Sequence, residues 1–211
     1  MISHLHYISQ QTAAAGHIAN IQAACEAGCK WIQLRIKDAA PEDVLAAART
    51  ARQICDQYGA TLIINDYPRI ARAVNAQGVH VGKNDMTVAA ARAITGGGLM
   101  VGGTANTLQD ILQHVEDGAS YVGLGPYRFT TTKQQLSPIL GLEGIARIMQ
   151  QLEAQQVRIP VIAIGGILPG DVPALRAAGV HGVAVSGAIT HAANPRAVVD
   201  NILQTCLNQR S

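Results

Sequence analysis

Short apolar runs alternate along the chain with longer stretches in which apolar residues recur every three or four positions. The runs are rich in β-branched residues and predict eight strands, at residues 5–9, 31–36, 61–65, 78–81, 99–102, 121–125, 161–164 and 182–185. Several of them are apolar throughout rather than at alternate positions, which is typical of strands covered on both faces. A parallel sheet buried between helices is therefore predicted.

The stretches between the runs have the repeat of amphipathic helices. Three clear examples each place four apolar residues on one helical face: Leu108, Ile111, Leu112 and Val115; Ile145, Ile148, Met149 and Leu152; and Val198, Val199, Ile202 and Cys206. Thr107 and Asp110 have the spacing of a capping box. Pro41, Pro169 and Pro195 suit first helical turns, where a missing N–H group does no harm.

Regular alternation of strand and helix produces a parallel sheet, open or closed. Eight units of about 26 residues each favour the closed form. We predict an α/β protein with a single (β/α)8 TIM barrel and a parallel eight-stranded core, forming one catalytic domain over residues 1–211. An open doubly wound sheet is the alternative, disfavoured because no G-x-G-x-x-G motif follows the first strand.

Charge and composition exclude several classes of partner. The chain has 16 basic and 14 acidic residues, a formal net charge of +2, so neither nucleic acid nor a membrane surface is an expected partner. No apolar run approaches the roughly 18 residues of a membrane span, and residues 1–10 lack the apolar core of a secretion signal. The four cysteines lack zinc spacing. We expect a cytoplasmic protein with reduced thiols that acts on small molecules, as a monomer or a homo-oligomer.

Polar or glycine-rich residues follow seven of the eight predicted strands. A closed barrel gathers the C-terminal ends of its strands at one rim, so these residues are predicted to share one site. In chain order they are Gln33, Arg35 and Lys37; Asn65 and Asp66; Asp85; Thr104; Thr130, Thr132 and Lys133; Gly165 and Gly166; and Ser186 and Gly187.

Single features of this rim also have structural explanations. Asn65–Asp66 is ordinary turn chemistry. Asp85 is placed to cap a helix that begins near Thr87. His80 lies within an apolar run and is interpreted as a core histidine rather than a ligand. The functional interpretation is favoured because independent turns would not all place anion-binding and cation-binding groups at one rim.

The rim residues divide by chemistry into three sets. Two carboxylates are hard oxygen ligands of the kind that Mg²⁺ prefers: Asp66 and Asp85. Three cations suit phosphate oxygens: Arg35, Lys37 and Lys133. A third set follows strands seven and eight, where barrels commonly hold a phosphate with backbone N–H groups: Gly166, Ser186 and Gly187.

Between residues 5 and 202 the chain contains, in order, QLRIKD, IINDYPRIA, GVHVGKND, VGGTAN, GLGPYRFTTTK, IPVIAIGGI and GVAVSGAI. In order and spacing these motifs resemble the thiamine phosphate synthase family over nearly the whole chain. The resemblance implies a transferase of thiamine biosynthesis that joins hydroxymethylpyrimidine diphosphate to hydroxyethylthiazole phosphate or its carboxylated form. The products are thiamine phosphate and diphosphate, formed through a pyrimidine-methyl cation.

The resemblance also implies roles for individual residues. Positions that hold the pyrimidine and its diphosphate match Gln33, Arg35, Lys37, Asn65, Thr104 and Lys133. Three of these would assist catalysis: Arg35, Lys37 and Lys133. Positions that bind Mg²⁺ match Asp66 and Asp85. Positions around the thiazole phosphate match Thr130, Thr132, Gly166, Ser186 and Gly187. The chain departs from the usual pattern at Thr104 and Gly187, where Ser is frequent, and at Ile36, where Glu is common.

Two other functions stay open from the sequence. A thiazole tautomerase is a related barrel that isomerises the thiazole phosphate and needs neither a metal nor a diphosphate site, so Asp66, Asp85, Lys37 and Lys133 argue against it. A non-catalytic barrel that binds a phosphorylated ligand as a sensor is not excluded by the fold. Diphosphate release from the two substrates with Mg²⁺ distinguishes a synthase from both.

Overall fold

The computed structural model describes residues 2–129 and 138–208, and within them eight parallel strands form a closed barrel. The strands are β1 (Leu5–Ile8), β2 (Trp31–Leu34), β3 (Thr61–Asn65), β4 (Gly78–Val81), β5 (Met100–Ala105), β6 (Tyr121–Leu124), β7 (Val161–Ala163) and β8 (Gly182–Val185). They follow one another around the barrel in chain order, and β8 closes it by pairing with β1. The predicted closed (β/α)8 architecture is confirmed, and the open sheet is excluded.

Helices cover the outside of the barrel. They are α1 (His17–Glu26), α2 (Pro41–Gln57), α3 (Pro68–Ala73), α4 (Val88–Thr95), α5 (Leu108–Glu116), α6 (Gly141–Ala154), α7 (Val172–Ala177), α8 (Gly187–Thr190) and α9 (Pro195–Asn208), with a 3-10 turn at Pro169–Asp171. The capping box of Thr107 and Asp110 is confirmed at the start of α5. The cap of α4 is Thr87, whose side chain accepts from the Ala90 N–H group, and not Asp85.

Five predicted strands have at least one boundary that differs in the structure, and two of these differences, at the ends of β2 and β5, exceed one residue. The second strand ends at Leu34 instead of residue 36, because the Arg35 N–H group donates to Ser9 Oγ at 3.0 Å rather than to the sheet. The fifth strand continues through its two glycines to Ala105 and pairs with β6. Glycine is required at Gly102, where a Cβ would lie 2.2 Å from the ring of Tyr121.

The apolar core has two parts, as expected for a sheet covered on the outside and filled on the inside. The larger part lies between the strands and the helices and consists mainly of Ala, Val, Ile and Leu. The smaller part fills the barrel interior: Trp31, Ile63, Tyr121, Ile162 and Ala184. The imidazole of His6 stacks on the Trp31 ring at 4.0 Å. Among the described residues, these side chains fill the barrel interior below the rim, and Tyr121, Ile162 and Ala184 form the floor of a cavity at the C-terminal ends of the strands.

The four cysteines, Cys25, Cys29, Cys55 and Cys206, are free and buried. Burial raises the pKa of the Cys29 thiol to about 12, so this thiol stays protonated and unreactive at neutral pH. Within residues 2–129 and 138–208, no helix combines the length and the apolar character needed to cross a membrane.

Candidate active site

A cavity of about 470 Å³ opens at the C-terminal ends of the strands, a volume suited to small-molecule substrates. The structure brings into it every described residue of the predicted site: Gln33, Arg35, Lys37, Asn65, Asp66, Asp85, Thr104, Gly165, Gly166, Ser186 and Gly187. These residues come from six strand ends and are separated by up to 154 positions in the chain. Closure of the barrel therefore produces the co-location on which the sequence interpretation depends.

One side of the cavity mouth carries a cation between two carboxylates. The Lys37 ammonium bonds directly to Asp66 Oδ2 and lies 3.3 Å from Asp85 Oδ2. Burial by itself lowers the pKa of Lys37, but its hydrogen bonds and charge interactions with the two aspartates outweigh this and raise the pKa above its usual value. Both carboxylates thus converge on one point, and the protonated ammonium group of Lys37 occupies that point.

Backbone geometry directs Asp66 towards that point. Its φ of 64° is left-handed, a conformation that Asp tolerates better than most residues. Its Oδ1 accepts from the Gly82 N–H group at 3.1 Å, and its Oδ2 also accepts from the Asn65 amide. Asn65 and Gly82 therefore orient this carboxylate from two neighbouring strand ends, so Asn65–Asp66 is more than an ordinary turn.

Arg35 is anchored through its backbone at the end of β2. The hydroxyl of Ser9, which accepts from the Arg35 N–H group, also lies 2.9 Å from His17 Nδ1. Burial lowers the pKa of Arg35, while nearby aspartates including Asp66 and Asp85 oppose that shift, so the guanidinium keeps its charge at neutral pH. Gln33 lies two residues before it within β2, is almost fully buried, and also lines the cavity.

The opposite side of the cavity contains the glycine turn after β7. Gly165 and Gly166 have φ values of 95° and 69°, which glycine adopts without strain. A Cβ on Gly166 would lie 2.4 Å from Arg128 Cγ. The Arg128 guanidinium donates to the Gly166 carbonyl at 2.9 Å and pairs with Asp171 at 2.7 Å. Sequence reasoning missed Arg128 and Asp171, which brace this turn although they lie 43 residues apart.

The β8 end of the cavity contains a small polar network. The Ser186 hydroxyl donates to Gln10 Oε1 at 3.1 Å, and Gln10 Nε2 lies 2.8 Å from His191 Nε2. Ser186 and Gly187 stand at the start of the short helix α8. Both of them line the cavity, as do Gln10 and His191. Sequence reasoning missed Gln10 and His191. Gln10 follows β1, the one strand end to which no polar residue was assigned, so the same strand-end rule could have found it.

His80 is buried and hydrogen-bonded at both ring nitrogens, as its interpretation as a core histidine predicts. Its partners are the hydroxyls of Tyr121 and Thr104. His80 also lines the cavity, as do Tyr121 and Thr104. The interpretation was therefore incomplete, because this histidine belongs to the wall of the candidate site.

Thr130, Thr132 and Lys133 lie outside the described residues, so their assignments stay predictions. The segments on either side of them are tied together. Asn106 Nδ2 donates to the carbonyls of Gly125 and Pro138, at 2.9 Å in each case. The Leu140 N–H group also donates to the Pro126 carbonyl at 2.9 Å. The bases of the connection between β6 and α6 are thus fixed beside the cavity.

Comparison with known proteins agrees with this geometry. The family described as thiamine monophosphate synthase matches residues 5–189. The thiamine-phosphate synthase of Bacteroides fragilis is 47% identical over 191 residues, which cover 90% of this chain and 94% of the relative. That of Flavobacterium psychrophilum is 46% identical over 195 residues, which cover 92% and 95%. A solved structure of a thiamine phosphate pyrophosphorylase from Pyrococcus furiosus has a TM-score of 0.84 and 29% identity, covering 98% of this chain and 96% of that one.

These matches extend over most of both partners in each comparison, and residues 5–189 contain every described residue that lines the cavity except His191. The predicted family is therefore confirmed by sequence as well as by fold, and this chain belongs to the thiamine monophosphate synthase family.

Proposed function

We propose that this protein is a thiamine-phosphate synthase, a transferase that joins hydroxymethylpyrimidine diphosphate to hydroxyethylthiazole phosphate. The observation that carries the proposal is the division of one cavity into two anion-binding sides. One side presents Arg35, Lys37 and two aspartates, and the other presents the glycine turn and the start of α8. Two phosphorylated substrates need two such sides, whereas a tautomerase acting on the thiazole phosphate alone needs one.

The reaction breaks the bond between the pyrimidine methylene carbon and a diphosphate oxygen, and the electron pair leaves with diphosphate. The thiazole nitrogen then supplies the electron pair of the new carbon–nitrogen bond. Arg35 and Lys37 stand where positive charge would meet the negative charge that grows on the leaving group. Ile8, Ile162 and Ile164 also line the cavity, and an apolar lining of this kind would keep water from the cation.

Asp66 and Asp85 would hold Mg²⁺ next to the diphosphate. Two carboxylates that converge on a single cation, here the ammonium of Lys37, are a donor set that fits a divalent ion. Among the described residues there is no cluster of three or more metal-ligating side chains, so substrate oxygens and water would complete the coordination. The ion would supply charge neutralisation between the acidic pair and the diphosphate.

The thiazole phosphate would occupy the side formed by Gly166, Ser186 and Gly187. Close approach of backbone N–H groups to a phosphate requires glycine or a turn without bulky side chains. The family resemblance adds Thr130, Thr132 and Lys133, with Lys133 acting on the diphosphate. Thr104 and Asn65 complete the pyrimidine diphosphate side. Reduced, buried thiols agree with a cytoplasmic location, which stays part of the proposal.

The test is diphosphate release from the two purified substrates, with and without Mg²⁺. We expect stoichiometric thiamine phosphate and diphosphate in the presence of the metal. Isomerisation of the thiazole phosphate without diphosphate release would identify a tautomerase instead. Tight binding of either ligand with no chemical change would identify a sensor. Arg158 is a basic residue after α6 and away from the cavity. Arg158→Ala is therefore the matched control for variants that remove the positive charge of Arg35 or Lys37.

A further inference from the structure

Three side chains that line the cavity, Tyr121, His80 and Thr104, are joined by two consecutive hydrogen bonds. The Tyr121 hydroxyl lies 3.1 Å from His80 Nδ1, and His80 Nε2 lies 2.9 Å from Thr104 Oγ1. Tyr121 is 1% exposed, and His80 and Thr104 are each 7% exposed. The direction of each hydrogen bond is therefore decided inside the protein and not by bulk water.

The number of protons available favours one direction for the two hydrogen bonds that His80 makes with Tyr121 and Thr104. A neutral imidazole carries one N–H group, so its ring donates at one nitrogen and accepts at the other. If Nδ1 carried the proton, Tyr121 would accept from it, and the hydrogen bonds of the described residues offer the Tyr121 proton no second acceptor. A buried hydroxyl proton without an acceptor is costly. In the opposite direction Tyr121 donates to Nδ1, and the Nε2–H group donates to Thr104.

A further observation favours this direction. Burial raises the pKa of Tyr121, so the phenol keeps the proton that it donates. Thr104 then accepts from His80 and keeps its own hydroxyl proton. Because Thr104 lines the cavity, a ligand oxygen is the natural acceptor for that proton.

We propose that Tyr121 and His80 are positioning residues that hold Thr104 as a hydrogen-bond donor to the departing diphosphate. The inference rests on the proposed synthase function and deepens it. A hydroxyl donor gains strength as its acceptor becomes more negative, so it stabilises the leaving group more than the bound substrate. The threonine methyl group restricts rotation about χ1, which helps to keep the hydroxyl beside His80.

The first test is the tautomer of His80, measured by ¹⁵N NMR of the imidazole nitrogens in the unliganded enzyme. His80→Gln identifies the signals by their loss. We expect the proton on Nε2, and a proton on Nδ1 overturns the inference. This readout needs no turnover. An inactive wild-type enzyme would remove the proposed function, whereas a proton on Nδ1 in an active enzyme would remove this inference alone.

The second test is a kinetic cycle with Tyr121→Phe and Thr104→Val, which each remove one hydroxyl and keep the shape. We expect Thr104→Val to lower kcat about 10-fold with little change in the KM for the pyrimidine diphosphate. Thr104→Ser keeps the hydroxyl and should retain most of the wild-type kcat. Tyr121→Phe should lower kcat in the wild-type background and have almost no effect beside Thr104→Val. Equal losses in both backgrounds, with folding verified by thermal melting, would show that the Tyr121 hydroxyl acts independently of Thr104 and would overturn the inference.

Discussion

The Lys37 ammonium and the Asp85 carboxylate face each other across the mouth of the cavity, with Nζ 3.3 Å from Oδ2. Both side chains are more than one-third exposed, and ion pairs exposed to this degree contribute little to stability. In the proposed function, this pair lies where the diphosphate and Mg²⁺ would bind. Asp66 and Asp85 would hold the metal ion, and Lys37 would bind phosphate oxygens.

The first prediction concerns the acidic pair. Asp66→Asn and Asp85→Asn should each lower turnover about 100-fold or more, because the diphosphate would lose its metal-mediated neutralisation. Chelation with EDTA should abolish activity, and added Mg²⁺ should restore it. Diphosphate release is the measurement. Asp43→Asn, an exposed aspartate in the first turn of α2, is the control and should be nearly silent. Full activity in EDTA would disprove the metal assignment.

The second prediction concerns the glycine turn. Gly166→Val should raise the KM for the thiazole phosphate at least about 10-fold and change the pyrimidine diphosphate KM much less. The reasons are the left-handed φ of 69° at Gly166 and the clash that an added Cβ would make with Arg128 Cγ. Gly170→Ala is the matched control, since a Cβ there meets nothing within 4 Å. Equal increases in both KM values would place the turn outside the thiazole phosphate site.

The third prediction concerns Lys133, which lies outside the described residues and is assigned by family resemblance. Lys133→Ala should lower kcat by about 100-fold if its charge meets the diphosphate as the bond breaks. Direct binding of the pyrimidine diphosphate should persist, because Arg35 and Lys37 remain. Lys30→Ala is the control, since Lys30 precedes β2 at the opposite end of the barrel. Normal kcat with weakened binding would transfer the leaving-group role to Lys37.

The fourth prediction concerns stability. Asp110 Oδ2 accepts from the N–H groups of Asn106 and Thr107 and from Lys83. Burial alone would raise the pKa of Asp110, but these hydrogen bonds outweigh it and lower the pKa below its ordinary value. Asp110→Asn should therefore reduce the free energy of unfolding by about 1 kcal/mol at pH 7 through loss of the cap.

The sign of the pH dependence follows from the lowered pKa. A carboxyl group that is more acidic in the folded state contributes stability above its unfolded pKa of about 3.9, and loses it as the pH falls through the folded value. The difference between wild type and Asp110→Asn should thus be full at pH 7 and shrink in acid. Urea unfolding at several pH values measures it. Asp117→Asn, at the far end of the same helix, should show a smaller difference.

The short-range patterns determined the elements of this fold. Apolar runs locate all eight strands, although not all of their ends, because a strand covered on both faces is apolar along most of its length. The capping box of Thr107 and Asp110 was readable because its partners lie three residues apart. The position of the candidate site also followed from the sequence, since every barrel strand delivers its C-terminal end to the same rim.

Tertiary structure alone decided how the rim residues contact one another. Gln10 reaches Ser186 across 176 positions, and Arg128 braces Gly166 across 38. No local repeat encodes such pairs, because they depend on the pairing of β8 with β1 and on the path of each loop above the barrel. The chain of Tyr121, His80 and Thr104 likewise exists only after three strands have set their registers. Sequence therefore determined which chemical groups reach the rim, and closure of the barrel determined which of them touch.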